Sequence, residues 1–263
     1  MHPSPATDRH MPTAEATVRD NPMRPPADSP STRAQAWRVF LSHHSPQGLI
    51  ALLVIGCIWR AQLGGWGWLD GVIVVAVWAI FPFVEWGIHR FVLHFRPVRW
   101  GRLTIDFYLP QTHRRHHADP WNLYWTFVPR HVYAWVLVSM AIGLWLADGW
   151  RGPLLTCYLV FLLQGLHYEW VHYLAHITWR PSLVYYERRV LAHRHHHFRN
   201  ERLWWGVSRG FGDRVLGTAP DPKDVARSDS RTDLGIKAGR SGVLLGWLIR
   251  HVAYSMERGG WAH

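Results

Sequence analysis

Four apolar stretches constrain this chain more than anything else in it. They are "QGLIALLVIGCIWRAQL" (47–63), "LDGVIVVAVWAIFPFVEWGI" (69–88), "HVYAWVLVSMAIGLWLA" (131–147) and "PLLTCYLVFLLQGLHYEWV" (153–171). A helix rises about 1.5 Å per residue, so about 20 apolar residues cross a bilayer, and each stretch reaches or approaches that length. Only "GGWGW" separates the first pair and "DGWRG" the second. Connections so short force antiparallel helical hairpins. The expected fold is all-α and integral to a membrane, with four transmembrane helices arranged as two hairpins. The N-terminus, the middle segment and the C-terminal region then share one side.

Charge agrees with that topology. The chain carries 29 Lys and Arg against 18 Asp and Glu, a net charge of +11, which in a soluble protein would make nucleic acid the default partner. Here 27 of the 29 basic residues fall on the shared side, and only Arg60 and Arg151 lie near the other face. By the positive-inside rule the shared side is cytoplasmic. Topology explains the basicity, no nucleic-acid motif accompanies it, and no nucleic-acid partner is expected. Cys57 and Cys157 both sit in apolar runs and match no disulfide or metal pattern.

Three domains are expected. Residues 1–36 are rich in proline and poor in large apolar side chains, as a disordered tail would be. Residues 37–220 form the membrane-embedded domain, and 221–263 a polar linker with an interfacial helix around "GVLLGWLIRHVAYSM" (242–256).

Ten of the 19 histidines fall into four boxes: His89 and His94 in "HRFVLH", His113, His116 and His117 in "HRRHH", His172 and His176 in "HYLAH", and His193, His196 and His197 in "HRHHH". An H-x-x-H-H triplet arises by chance about 0.1 times in such a chain, so two triplets plus two pairs make a specific signal. At i, i+3 and i+4 the side chains share one helical face. His94 is the exception, because five residues on is about 140° round an ideal helix. It must bend back where the helix relaxes, or serve a second metal. Imidazole ligation alone suits Zn, Fe, Cu or Ni. Ten ligands exceed what one ion accepts, so a dinuclear site follows.

With these boxes the chain resembles the integral-membrane fatty acid hydroxylase and sterol desaturase superfamily over about 80–220. "EWGIHRFVLH" is similar to the first box of fatty acid 2-hydroxylases, "HRRHHADPWNLYWTFVP" to their second, and "GLHYEWVHYLAH" to their third. "WGVSRGFGDRVLGT" resembles the segment that follows the fourth box. The resemblance implies a di-iron, O2-dependent hydroxylase acting on a lipid, most simply a fatty acyl chain, with a helical stem under a cytoplasmic histidine-rich cap. Zinc could replace the two irons on isolation. The tail reads "HPSP", without the His-Pro-Gly-Gly of a fused cytochrome b5, so electrons are expected from a separate ferredoxin or cytochrome b5-like donor. "VLAHRHHH" is also close to carotenoid hydroxylases, which keeps a carotenoid or sterol hydroxylase or desaturase as the alternative, with a non-redox zinc-binding membrane protein behind it.

Other residues take expected roles from their positions. Glu85 precedes His89 by four residues and Glu169 precedes His172 by three, so each carboxylate can lie on its histidine's face and orient it. His167 and His195 lie off the ligand spacing and are candidate supporting residues. Phe83, Trp86 and Leu166, at the ends of the second and fourth spans, are candidate walls of a lipid cavity. Arg188, Arg189, Arg199 and Arg202 flank the fourth box as a candidate docking face for an acidic donor.

Overall fold

The computed structural model describes residues 24–236, and within them the chain is mostly helical. Four helices are long and apolar enough to cross a membrane. The spans run over His44–Leu63, Trp68–Leu93, Leu123–Leu146 and Arg151–Ala175, and their main α-helices are α2 (His44–Leu63), α3 (Trp68–Gly87), α6 (Arg130–Leu146) and α7 (Arg151–Ala175). Each lies within a few residues of its expected span, because the length of an apolar run is a local property. Their outward faces expose Val75, Trp78, Ile80, Leu137, Val138 and Ile142, as helices surrounded by lipid do. The interfacial helix expected over 242–256 lies outside the described residues.

α7 is the central post, packing against α2, α3, α6 and α8 (Val184–Phe198). Gly56 of α2 faces α7, where an added Cβ would sit 2.7 Å from Leu159 Cδ2 and would make that side chain turn aside. Small residues at such crossings let two backbones come together, which is what drives helix association in lipid.

α1 (Arg33–Ser42) begins inside the segment 1–36 expected to be a disordered tail, so the folded part starts earlier than residue 37. Thr32 and Gln35 form a capping box, Gln35 N donating to Thr32 Oγ1 at 3.3 Å and Thr32 N to Gln35 Oε1 at 3.1 Å. Beyond the cap, Trp37 stacks on Trp170 at 4.1 Å, and Phe40 packs among Phe127, Trp170 and Tyr173. Composition averaged over 36 residues hides one capped turn that has aromatic surface to bury.

At the end of the bundle away from the histidine boxes, α2, α3 and α7 are joined by buried charge. Arg60 is fully buried; its Nη2 donates to Asp70 Oδ1 at 2.7 Å, its Nε to Thr156 Oγ1 at 2.9 Å and its Nη1 to Gly64 O at 2.6 Å. Thr156 in turn donates to Asp70 Oδ1 at 2.6 Å. Removing one partner strands the other, so Arg60→Ala is expected to destabilise the chain by about 3–5 kcal/mol, read as a lower unfolding midpoint in detergent. An unchanged midpoint would mean that water replaces the guanidinium.

Pro82 lies inside α3 and cannot donate to the carbonyl four residues back, that of Trp78. The Arg209 guanidinium supplies the missing donor, its Nη1 bonding Trp78 O at 2.7 Å. Between α3 and α6 come a π-helical segment (Ile88–Leu93), an antiparallel hairpin of β1 (Val98–Trp100) with β2 (Leu103–Ile105), and the helices α4 (Tyr108–Ala118) and α5 (Leu123–Thr126). α9 (Phe211–Val215) follows α8 and packs on α3.

Candidate metal centre

The ten box histidines converge as two groups of five. His89, His94, His113, His117 and His196 form the first, and His116, His172, His176, His193 and His197 the second. Within each group one nitrogen from every ring lies within 4.8 Å of the others.

Helix geometry makes this division. On α4 the i, i+4 pair His113 and His117 points to the first group and His116 to the second. On α8 the i, i+4 pair His193 and His197 points to the second and His196 to the first. The i, i+4 pair His172 and His176 at the end of α7 completes the second group. Two helices with the same H-x-x-H-H pattern thus each serve both groups, in opposite proportions.

His94 reaches the first group because the backbone changes winding. Over Ile88–Leu93 the chain is a π-helix, and His94 N bonds to His89 O at 3.2 Å, five residues back. An i to i+5 bond stacks residues five apart, which the tighter α-helix would splay. His94 and His89 ring centroids end 5.1 Å apart.

Backbone carbonyls set the tautomers of three rings in the first group. His89 Nδ1 bonds Trp205 O at 2.6 Å, His196 Nδ1 bonds Leu203 O at 2.8 Å, and His117 Nδ1 bonds Arg231 O at 3.0 Å. A carbonyl only accepts, so each Nδ1 carries the hydrogen and each neutral ring presents a bare Nε2. The bare Nε2 atoms of His117 and His196 face one another at 3.3 Å, and that of His89 faces His113 Nε2 at 3.2 Å. Second-group contacts are also between Nε2 atoms: His116 with His172 at 3.1 Å, His176 with His193 at 3.1 Å and His193 with His197 at 3.0 Å. The Nδ1 atoms of His116, His193 and His197 are buried with no hydrogen-bond partner among the described residues.

Lone pairs so placed repel unless a cation lies among them. Ligands at right angles round a metal with bonds of about 2.1 Å lie about 3.0 Å apart, and tetrahedral ligands about 3.4 Å. The observed contacts fall in that interval. Both groups could therefore bind metal.

The imidazoles are also kept uncharged. Burial first and neighbouring rings second hold His94, His113, His116, His176, His193, His196 and His197 well below the ordinary imidazole value, and burial pushes His117 down to about 3. An unfolded chain takes up these protons near pH 6.5, whereas the folded rings do not. The stability of metal-free protein is therefore complete above about pH 6.5 and lost as pH falls from there toward the folded values. His117 alone accounts for about 2 kcal/mol between pH 6.5 and 5. Unfolding of metal-stripped protein in detergent at pH 7 and 5 reads the effect, and equal midpoints would place the rings in water.

Neither carboxylate expected to orient a histidine bonds to one. Glu85 Oε1 instead accepts from Val207 N at 2.5 Å and Ser208 N at 2.6 Å, and its Oε2 accepts from the Ser208 hydroxyl. Asp213 grips the same loop, Oδ1 accepting from Trp205 N at 2.9 Å and Oδ2 from Gly206 N at 2.7 Å. Gly206 has no room for a side chain, since a Cβ would lie 2.3 Å from Arg209 O. This doubly held loop carries the Trp205 carbonyl that bonds His89, so Glu85 acts on its histidine through the loop. Glu169 accepts from Ser45 Oγ at 2.5 Å and Val128 N at 3.0 Å, tying α2 and the 127–128 turn to α7. A spacing of three or four residues puts two side chains on one face, but nearer backbone donors claimed both carboxylates.

Other expected residues lie around the groups. His167 Nε2 bonds Tyr185 Oη at 3.0 Å, and the His195 ring packs 5.4 Å from Trp204. Neither joins a group. Phe83 packs on Phe211 at 5.8 Å, Trp86 Nε1 donates to Thr218 Oγ1 at 2.9 Å, and Leu166 packs against the core around Phe40 and Trp170. None of the three lines the cavity of about 440 Å³ between Thr112, Tyr124, Trp125, Phe127 and Val128. Trp205, to which sequence reading assigned no role, packs its indole 4.6 Å from His94, 5.2 Å from His196 and 5.4 Å from His89. The motif "WGVSRGFGDRVLGT" was the available signal for it, and only the folded loop shows its use.

Comparison with known proteins agrees with this architecture. The chain is 25% identical over 162 residues to dihydroceramide fatty acyl 2-hydroxylase FAH2 of Arabidopsis thaliana, covering 60% of this chain and 64% of that one, slightly under two thirds of its length. It is 26% identical over 165 residues to the ceramide very long chain fatty acid hydroxylase SCS7 of Saccharomyces cerevisiae, covering 56% of this chain and 37% of the relative. A solved structure of full-length scs7p, in which only the hydroxylase domain is visible, shares the fold with a TM-score of 0.56 at 21% identity, over 70% of this chain and 68% of that one. The family model for fatty acid hydroxylase matches residues 74–218, more than half the chain and the stretch that holds every box. Four membrane-spanning helices topped by these two histidine groups therefore belong to a member of the fatty acid hydroxylase family.

Proposed function

We propose that this protein is a membrane-embedded di-iron oxygenase that hydroxylates the acyl chain of a lipid, using O2 and two electrons from a separate donor. The observation that carries the reading is the pair of buried, uncharged five-imidazole groups, at the end of spans too apolar for a water-soluble substrate to be the natural one. Relatives named as ceramide-type acyl hydroxylases supply the substrate class. The reaction balances as one C–H bond replaced by C–O–H, with the second oxygen atom of O2 leaving as water after taking up two electrons and two protons.

Bound iron would supply the oxidising power that an unactivated C–H bond requires. The protein's own residues make that possible. The carbonyls of Trp205, Leu203 and Arg231 keep the proton on Nδ1, which leaves Nε2 free as ligand. Glu85 and Asp213 fix the loop behind His89, and the Trp205 indole covers the first group against water. On this reading substrate enters by the cavity that Thr112, Tyr124, Trp125 and Phe127 line, one residue along α4 from His113.

The histidine end faces the cytoplasm on this reading, since it carries nearly all the basic residues. Of the four arginines flanking the fourth box, Arg188 and Arg202 are exposed and offered to a donor, ferredoxin or cytochrome b5-like. Arg199 bonds Val225 O at 2.7 Å and Arg189 is half-buried against Gly210, so both are spent on the fold.

The test is turnover of reconstituted protein with a reduced ferredoxin under isotopically labelled O2, alongside metal analysis. The expected product gains one labelled oxygen atom, from protein holding about two irons per chain. A product that has lost two hydrogens, or an unlabelled hydroxyl, would sink the reading.

A further inference from the structure

The segment 24–32 folds back on the loop that follows α7. Trp179 N donates to Pro30 O at 2.8 Å, Thr178 N to Ser29 Oγ at 3.0 Å, and Ser29 N to Pro26 O at 3.1 Å. Segment, loop and α8 enclose an open cavity of about 490 Å³. Its walls carry three guanidinium groups, those of Arg24, Arg180 and Arg194, with the hydroxyl-bearing Ser31 and Thr178, and among the described residues no carboxylate lines it.

Arg194 shows what is missing there. It is 4% exposed and forms no ion pair among the described residues. Its Nε donates to Ala175 O at 2.8 Å and its Nη2 to Ile177 O at 2.9 Å, and the guanidinium lies 5.3 Å from the Trp121 ring centroid. Carbonyls and a ring satisfy donors but bring no net negative charge. A buried guanidinium flanked by two more on the same cavity is, among the described residues, a charge without its counter-ion. Planar guanidinium forks match the oxygens of a phosphate group, which they bind in pairs.

Depth narrows the source. Ala175 ends the fourth span, so Thr178 and Arg180 lie only a few residues beyond the hydrocarbon, where lipid phosphates sit. A recessed cavity of this size takes a small group; a protein partner would meet a broader face.

We propose that the cavity between Arg24, Arg180 and Arg194 is a phosphate-binding site that takes the headgroup phosphate of an anionic membrane lipid or a free phosphate of the same chemistry. The site is separate from both histidine groups, and its existence does not depend on the hydroxylase reading. Arg194 also grips the carbonyls on either side of His176, so an occupied site would steady the turn that carries that ring.

The test uses full-length protein in a neutral detergent, with phosphatidic acid added and retained lipid read by native mass spectrometry. Wild type should hold one saturable lipid, and the double variant Arg24→Gln/Arg180→Gln should lose at least about tenfold in affinity. Both side chains are exposed at the rim, so the fold should survive. Arg99→Gln/Arg227→Gln, which removes equal charge elsewhere, should bind as wild type does. Inorganic phosphate at fixed ionic strength is the second arm. Displacement of the lipid by phosphate assigns the site to any phosphate oxyanion, and retention of lipid against it assigns the site to the headgroup. Equal binding by the two double variants, or saturable binding of neither ligand, overturns the proposal. So does a double variant that binds both ligands normally and is slowed only with a protein donor, because the surface would then belong to that partner.

Discussion

His116→Ala is expected to empty one histidine group and His196→Ala the other, each leaving about one metal ion per chain in place of about two and lowering turnover more than about 100-fold. His116 faces His172, His176 and His197, with ring centroids 4.8, 4.5 and 4.6 Å away, and His196 faces His89, His94 and His117 at 4.5, 5.1 and 5.0 Å. Each variant thus removes a ligand from the middle of its own set. The control is His195→Ala, one residue from His196 in the chain but packed on Trp204 and outside both groups. It should keep the metal content and most of the activity. Equal metal loss in all three variants would show that the division into two groups is wrong, and unchanged metal in the first two would show that the rings hold none.

Glu85→Ala is expected to cost about 3–5 kcal/mol of stability and to weaken metal binding in the first group about 10–100-fold, while touching no imidazole. The carboxylate accepts two backbone N–H groups and one hydroxyl from Val207 and Ser208, all buried. Alanine strands those donors, each at about 1–3 kcal/mol. With its clamp gone, the loop no longer holds the Trp205 carbonyl against His89, and outer partners of a metal-binding ring typically contribute a factor of that size. Glu85→Gln keeps one oxygen for the two N–H groups, and the Ser208 hydroxyl can turn to accept from the amide, so its loss should be clearly smaller. Unfolding in detergent and metal titration measure the two effects. A metal affinity that stays at the wild-type value in Glu85→Ala, with stability reduced, would separate the loop from the site and end this account of Glu85.

Much of this arrangement was legible before folding was considered. The spans were, because crossing a bilayer demands a run of apolar residues and nothing distant can alter that demand. The ten box histidines were, because i, i+3 and i+4 spacing places rings on one face of a helix whatever the helix packs against.

Partner choice was not legible. Helical spacing says that His113, His116 and His117 share a face, but only the packing of α4 between the π-helical segment, α7 and α8 decides that His116 leaves its neighbours for the second group. His94 needed a change of backbone winding that depends on where the chain goes after α3. Glu85 and Glu169 stood at the right spacing for a histidine and were taken by backbone amides from about 120 and 40 residues away. Capping at Thr32 could be read locally, yet whether α1 was worth forming depended on Trp170 and Phe127 being there to bury Phe40. Sequence by itself therefore determined the quantities set by length and period: the number of spans and the set of imidazoles. Tertiary structure alone decided which imidazoles meet, which oxygen fixes each tautomer and where an arginine is left without a counter-charge, because those depend on contacts between residues whose separation along the chain carries no information about their separation in space.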